Sequence, residues 1–150
     1  MAKENFSQYG KDFQETLCQL VLIDRPFADQ IFEVLDINFL ELKFLQIFVK
    51  LIQNYRIKFS THPSENIMKS ILRTELSSEI EATQMQVRDY FARIYKTDPL
   101  DQEYVKNTAL DFCRKQKLKE AMLKSVKLLK DSSFDEISEV INEALKLGSD

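Results

Sequence analysis

The chain has 150 residues, 44% hydrophobic and 30% charged. That is enough apolar content to bury about two-thirds of the unfolded surface in one globular domain, and it argues against wholesale disorder. A net charge of −3 gives no global attraction to nucleic acid, and two glycines with three prolines are too little punctuation for a many-stranded sheet.

In chain order, Met1 to Lys11 lacks the apolar run of a signal peptide. Phe13, Leu17, Leu20 and Val21 fall at helical spacing and define a first helix ending near Ile23, in which Cys18 reads as a buried thiol. Asp24 can cap a second helix with Pro26 in its first turn, and Phe27, Ile31, Val34 and Leu35 form the inward stripe. After Asp36-Ile37-Asn38-Phe39 comes the most regular segment. Leu40, Phe44, Leu45, Phe48, Leu51, Ile52 and Tyr55 repeat at three and four, opposite Glu41, Lys43, Gln46, Lys50 and Asn54. Arg56 to Pro63 reads as a connector, and Pro63-Ser64 opens a short helix with Ile67, Ile71 and Leu72. Ser78 and Glu81 have capping-box spacing ahead of a fifth helix with Ile80, Val87, Phe91 and Ile94 inward. Asp98-Pro99 predicts the start of a long helix running to about Lys130. A second capping box, Ser133 and Glu136, opens a last helix, with Gly148 to end it.

This pattern predicts an all-α fold: a compact five-helix bundle over residues 1–96 followed by a C-terminal helical hairpin over 97–150, one structural domain overall. No apolar run approaches the ~20 residues of a membrane span. Cys18 and Cys113 share no metal-type spacing, so a reduced, cytoplasmic protein that does not engage membranes is expected.

Catalytic chemistry finds little support. Phosphate loops need clustered glycines, and Gly10 and Gly148 stand at opposite ends with no Gly-Lys-Ser/Thr. His62 is the sole histidine and precedes Pro63 in a polar stretch, where it reads as a solvated turn residue rather than a general base. One His and two distant Cys cannot close a zinc site. Carboxylates such as Glu79, Glu81, Asp135, Glu136 and Glu139 sit on polar faces or first turns, where the helix dipole favours them. The expectation is a protein with no enzyme activity of its own, no cofactor and no metal.

The hairpin carries the functional signal. Arg114, Lys115, Lys117, Lys119, Lys124, Lys127 and Lys130 face only Glu120 in residues 114–130. In 131–150 the balance reverses, with Asp131, Asp135, Glu136, Glu139, Glu143 and Asp150 against Lys146. A basic helix folded on an acidic one is electrostatically matched, and two copies could pair in the same way. Leu118, Met122, Val126 and Leu129 are expected to face Phe134, Ile137, Ile141 and Leu145, with Leu128, Val140 and Leu147 adding surplus apolar surface. Surface of that kind marks an interface, so Leu118, Met122, Val126, Leu129, Phe134, Ile137, Val140, Ile141 and Leu145 are the predicted self-association residues. Arg114, Lys115, Lys117, Lys119, Lys124 and Lys127 are candidate contacts to a partner or to single-stranded DNA. No aromatic residue follows Phe112 on this helix to stack on bases.

A resemblance is carried by Leu17, Leu22-Ile23-Asp24, Pro26-Phe27, Phe32, Asn38-Phe39, Ile47-Phe48-Val49-Lys50-Leu51-Ile52, Pro63-Ser64 and the hairpin from Tyr104 to Leu145. The chain resembles the N-terminal domain of DnaB-type hexameric replicative DNA helicases, in the version of T-even-like bacteriophages. Bacterial members carry a His-Arg pair where Phe44 and Leu45 stand, and an Asp where Asn38 stands, which favours the phage version. The resemblance implies a collar domain that supports ring assembly by pairing hairpins, hexameric in the full-length protein. It further implies docking of primase, guidance of single-stranded DNA, an ATPase motor domain lying beyond residue 150, and residence in the host cytoplasm. The alternative is a free-standing helical single-stranded-DNA-binding or helicase-loader protein that works through the lysines.

Overall fold

A computed structural model describes residues 4–149, and among these every regular element is helical. A 3-10 turn at Phe6–Tyr9 leads into α1 (Gly10–Ile23), α2 (Arg25–Ile31), a 3-10 turn at Ile37–Phe39, α3 (Lys43–Phe59), α4 (Glu65–Thr74), α5 (Glu81–Tyr95), α6 (Gln102–Lys130) and α7 (Phe134–Lys146). None of these helices is long and apolar enough to cross a membrane.

The first three helices follow from local chemistry. Asp24 Oδ1 accepts from the Phe27 N–H at 3.1 Å, capping α2, while Oδ2 takes the Lys106 ammonium of α6 at 3.0 Å. Cys18 on α1 and Phe48 on α3 are fully buried. Buried Gln14 bridges α1 to the chain before α3: its Nε2 donates to Glu41 Oε1, and its Oε1 accepts from the Glu41 N–H at 2.8 Å. Gln19 donates to Thr97 O, and the Tyr90 hydroxyl donates to Glu15 O, so α5 and its exit loop are stitched to α1.

Several helix ends differ from the sequence expectation: α2 stops at Ile31, leaving Val34 and Leu35 beyond it, and α3 begins at Lys43, so buried Leu40 precedes it in extended backbone. α5 begins at Glu81 without a side-chain cap from Ser78, and Ile80 is exposed rather than inward. α6 begins at Gln102, preceded by Asp101 in the left-handed region (φ 55°), so Asp98 and Pro99 belong to the loop. Ser133 precedes α7 but makes no cap bond, its backbone being turned away from the extended geometry a cap requires. α3 runs through Arg56 to Phe59 and stops at left-handed Ser60, although its last buried residue is Ile52 and both Ile57 and Phe59 are exposed.

One hydrophobic core crosses the boundary expected at Lys96. Val105, Ala109, Phe112 and Cys113 of α6 share it with α1 to α5. Phe112 stands 4.8 Å from the Phe6 ring and 5.2 Å from the Phe39 ring, centroid to centroid, so both 3-10 turns clamp the first half of α6. Phe6 is fully buried although its surrounding sequence is polar. Beyond Cys113, α6 leaves the core and α7 becomes its main neighbour.

Candidate self-association face of the hairpin

A three-residue turn, Asp131 to Ser133, reverses the chain, so α6 and α7 run antiparallel. Ser132 takes φ 56° in that turn, and the Ser133 N–H donates to Leu128 O at 3.1 Å. The covered stripe on α6 is Leu118, Ala121, Ser125 and Leu128; on α7 it is Ile137, Val140, Ile141 and Ala144, while Leu147, just past the end of α7, packs against the main core. Ala121 and Ala144 are the buried residues of this seam, and their small side chains let the helices approach closely. The expectation that Met122, Val126 and Leu129 face α7 is therefore corrected. The seam lies one residue back, about 100° around α6, where small residues permit tighter packing than the larger stripe would.

That rotation decides what the predicted interface residues do. Leu118, Ile137, Val140 and Ile141 are half-buried and hold the hairpin together. Met122, Val126 and Leu129 on α6, and Phe134 and Leu145 on α7, are more than half exposed, Phe134 at 65%. By helical periodicity the α6 trio sits about a quarter turn from the seam, and Phe134 and Leu145 sit about a quarter turn from it on α7. Because the helices are antiparallel, those two rotations point to the same side of the hairpin. Five apolar side chains thus share one solvent-facing surface. Leu123, exposed at 67%, lies farther round α6; a residue count along the helix could have flagged it.

The charges are arranged differently from the expectation. Among the described residues no ion pair joins α6 to α7. Lys115 pairs with Asp111, Lys117 with Glu120 and Lys119 with Glu4, whose carboxyl is held below its usual range chiefly by the hydrogen bond from Lys119. Arg114 donates from Nε to Leu147 O at 3.1 Å and from Nη2 to Leu145 O at 3.3 Å, closing the open end of α7. Lys124, Lys127 and Lys130 make no ion pair among the described residues. The hairpin is held by packing and a guanidinium clamp rather than by matched charge, which suits the low value of exposed ion pairs. Of the cations proposed to meet a partner or DNA, Lys124 and Lys127 are the uncommitted ones.

The C-terminus is anchored as well. Buried Gly148 adopts φ 73°, and a Cβ there would lie 3.1 Å from Arg114 Cγ and 3.4 Å from Val34 Cγ1. The end of α7 is thereby pressed against the stretch after α2, which fixes how the hairpin leaves the core. Among the described residues no group of three or more His, Cys, Asp or Glu side chains is placed to hold a metal ion. Both thiols are buried, and burial pushes Cys18 well up and Cys113 to about 12, leaving neither as a ready nucleophile. No protein family, curated protein or solved structure matches the chain.

Proposed function

We propose that the chain is an assembly module: the N-terminal collar domain of a phage-type DnaB-like replicative helicase, with a five-helix head and a projecting hairpin arm. It would contribute ring assembly and primase docking and leave ATP hydrolysis to a motor domain elsewhere. The observation that carries this reading is the solvent-facing apolar surface of Met122, Val126, Leu129, Phe134 and Leu145 on the hairpin. The resemblance of the chain from Leu17 to Leu145 supplies the family, and the anchoring of α6 by Phe112 supplies a rigid base for the arm.

The surface also bounds the strength of pairing. Fully burying such a side chain stabilises by ~1.5–3 kcal/mol, so half-exposed ones contribute on the order of 1 kcal/mol each and about 10 for ten in a pair. Association costs about 4–15 kcal/mol. An isolated domain therefore pairs weakly, and a ring that links several copies gains the remainder through effective concentration. Sequencing the reading frame beyond residue 150 tests the assignment. A glycine-rich phosphate loop within about one further domain length is the expected result; a downstream frame with no nucleotide-binding motif would overturn it.

A further inference from the structure

A cleft of about 210 Å³ lies where α2, the end of α3 and the loop into α4 meet. It is lined by polar and charged residues: Arg25, Asp29, Arg56, Ser60, Thr61 and His62. The volume is below the roughly 300–1,000 Å³ of drug-sized ligand sites, so it suits one small group. His62 is not the solvated turn residue its sequence context implies. It is half-buried, with Nε2 2.6 Å from Leu22 O at the end of α1 and Nδ1 2.8 Å from Arg56 Nη1. A carbonyl can only accept, so Nε2 carries the proton and Nδ1 accepts from the guanidinium; the imidazole is neutral.

Arg56 is held in place. Its guanidinium lies 5.2 Å from the Phe32 ring centroid and donates from Nη2 to Asp29 Oδ1 at 2.6 Å. Arg25 lines the same cleft and makes no ion pair or hydrogen bond among the described residues. Two arginines and one carboxylate thus line a single cleft together with hydroxyl-bearing Ser60 and Thr61. Asp29 is 57% exposed at the rim, and an exposed ion pair contributes only ~0–1 kcal/mol, so a better-placed anion can displace it.

We propose that this cleft binds a single phosphate-type oxyanion, gripped by Arg25 and Arg56 with Ser60 and Thr61 beside it, Asp29 turning outward as it enters. Phosphate geometry matches the planar donor forks of arginine. Burial above all depresses His62; the hydrogen bond to Leu22 O and, more weakly, Asp29 act in the opposite direction, while the repulsion of Arg56 and Arg25 adds to the depression. An anion seated between the guanidiniums draws the Arg56 N–H away from Nδ1 and offsets that repulsion, so Nδ1 takes a proton from solvent more readily and binding strengthens as pH falls. Two sources share this chemistry: a free phosphorylated small molecule and the backbone of a nucleic acid. The inference is independent of the hairpin.

Because His62 is the only histidine, one imidazole NMR resonance reports the site in the intact chain. Titration with inorganic phosphate, and with sulfate as an anion that does not titrate in this range, is run at ionic strength held constant with chloride. Both oxyanions are expected to raise the apparent His62 pKa by up to about one unit, a tenfold linkage. Arg25→Gln removes the shift, and Asp29→Asn strengthens binding several-fold by deleting the competing carboxylate. Oligothymidylate at matched phosphate concentration separates the sources. A larger shift than inorganic phosphate gives identifies a nucleic-acid backbone; a smaller one identifies a free phosphate group. Chloride matching phosphate, or a shift that survives Arg25→Gln, overturns the proposal. So does Asp29→Asn weakening the binding of a chain whose thermal melt is unchanged.

Discussion

The same substitution made at two places on the hairpin should have opposite consequences. Phe112 is buried and contacts the rings of Phe6 at 4.8 Å, Phe39 at 5.2 Å and Tyr9 at 6.2 Å. Phe112→Ala removes a ring held on several sides, and the ~3–5 kcal/mol typical of buried Phe→Ala applies because neighbouring helices cannot collapse into the space. Against a total stability of about 5–15 kcal/mol that is a large fraction. At ~2–4 °C per kcal/mol for a chain of this size the melting temperature should fall by roughly 6–20 °C. Phe134 is 65% exposed, so Phe134→Ala should move the melting temperature of the dilute monomer by no more than about 2–3 °C. Its effect should appear in self-association instead. Circular dichroism melts at low micromolar concentration make the comparison. Equal destabilisation by the two substitutions would refute the division of α6–α7 into a core-anchored base and an exposed arm.

Three further outcomes follow from named contacts. Above pH ~6.5 neither folded nor unfolded chain holds a proton on His62; below it the unfolded chain gains one while the depressed folded imidazole does not. Stability should therefore fall as pH drops from about 7 towards 5.5, read as a falling urea midpoint, and His62→Gln should flatten that slope. Gly148→Ala meets both a left-handed backbone and the Arg114 side chain, so it should destabilise by ~1–2 kcal/mol and raise amide exchange along α7. Asp24→Ala removes the α2 cap and the partner of Lys106; a loss of ~1–2 kcal/mol is expected in chemical denaturation, most of it from the cap.

Much of the head was legible because its signals are local. The stripe from Leu40 to Ile52, the Asp24 cap and the Ser64 cap, where Ser64 Oγ accepts from the Ile67 N–H, depend on neighbours in sequence. Phe6 was not legible, since its burial depends on Phe39 and Phe112 arriving from elsewhere in the chain. The seam of α6 is hard to read from the sequence for a related reason. Ranking stripes by hydrophobicity selects Met122, Val126 and Leu129, whereas helix packing selected small Ala121 and Ser125. The signal existed, as Leu118, Ala121, Ser125 and Leu128 also repeat at three and four. The polar loop around His62 gives no hint that Leu22 O and Arg56 converge on it from other helices, so its sequence context reads as solvated.

Sedimentation velocity on the intact chain, from about 10 µM to about 1 mM, tests the central claim most directly, beside Val126→Glu. Val126 is 57% exposed and off the intramolecular seam, so the substitution leaves the fold intact while placing a charge in the apolar face. The account predicts a weight-average mass rising towards a dimer with concentration in the unaltered chain and staying monomeric in the variant. A unaltered chain that remains strictly monomeric at 1 mM, or a variant that associates equally well, would contradict it.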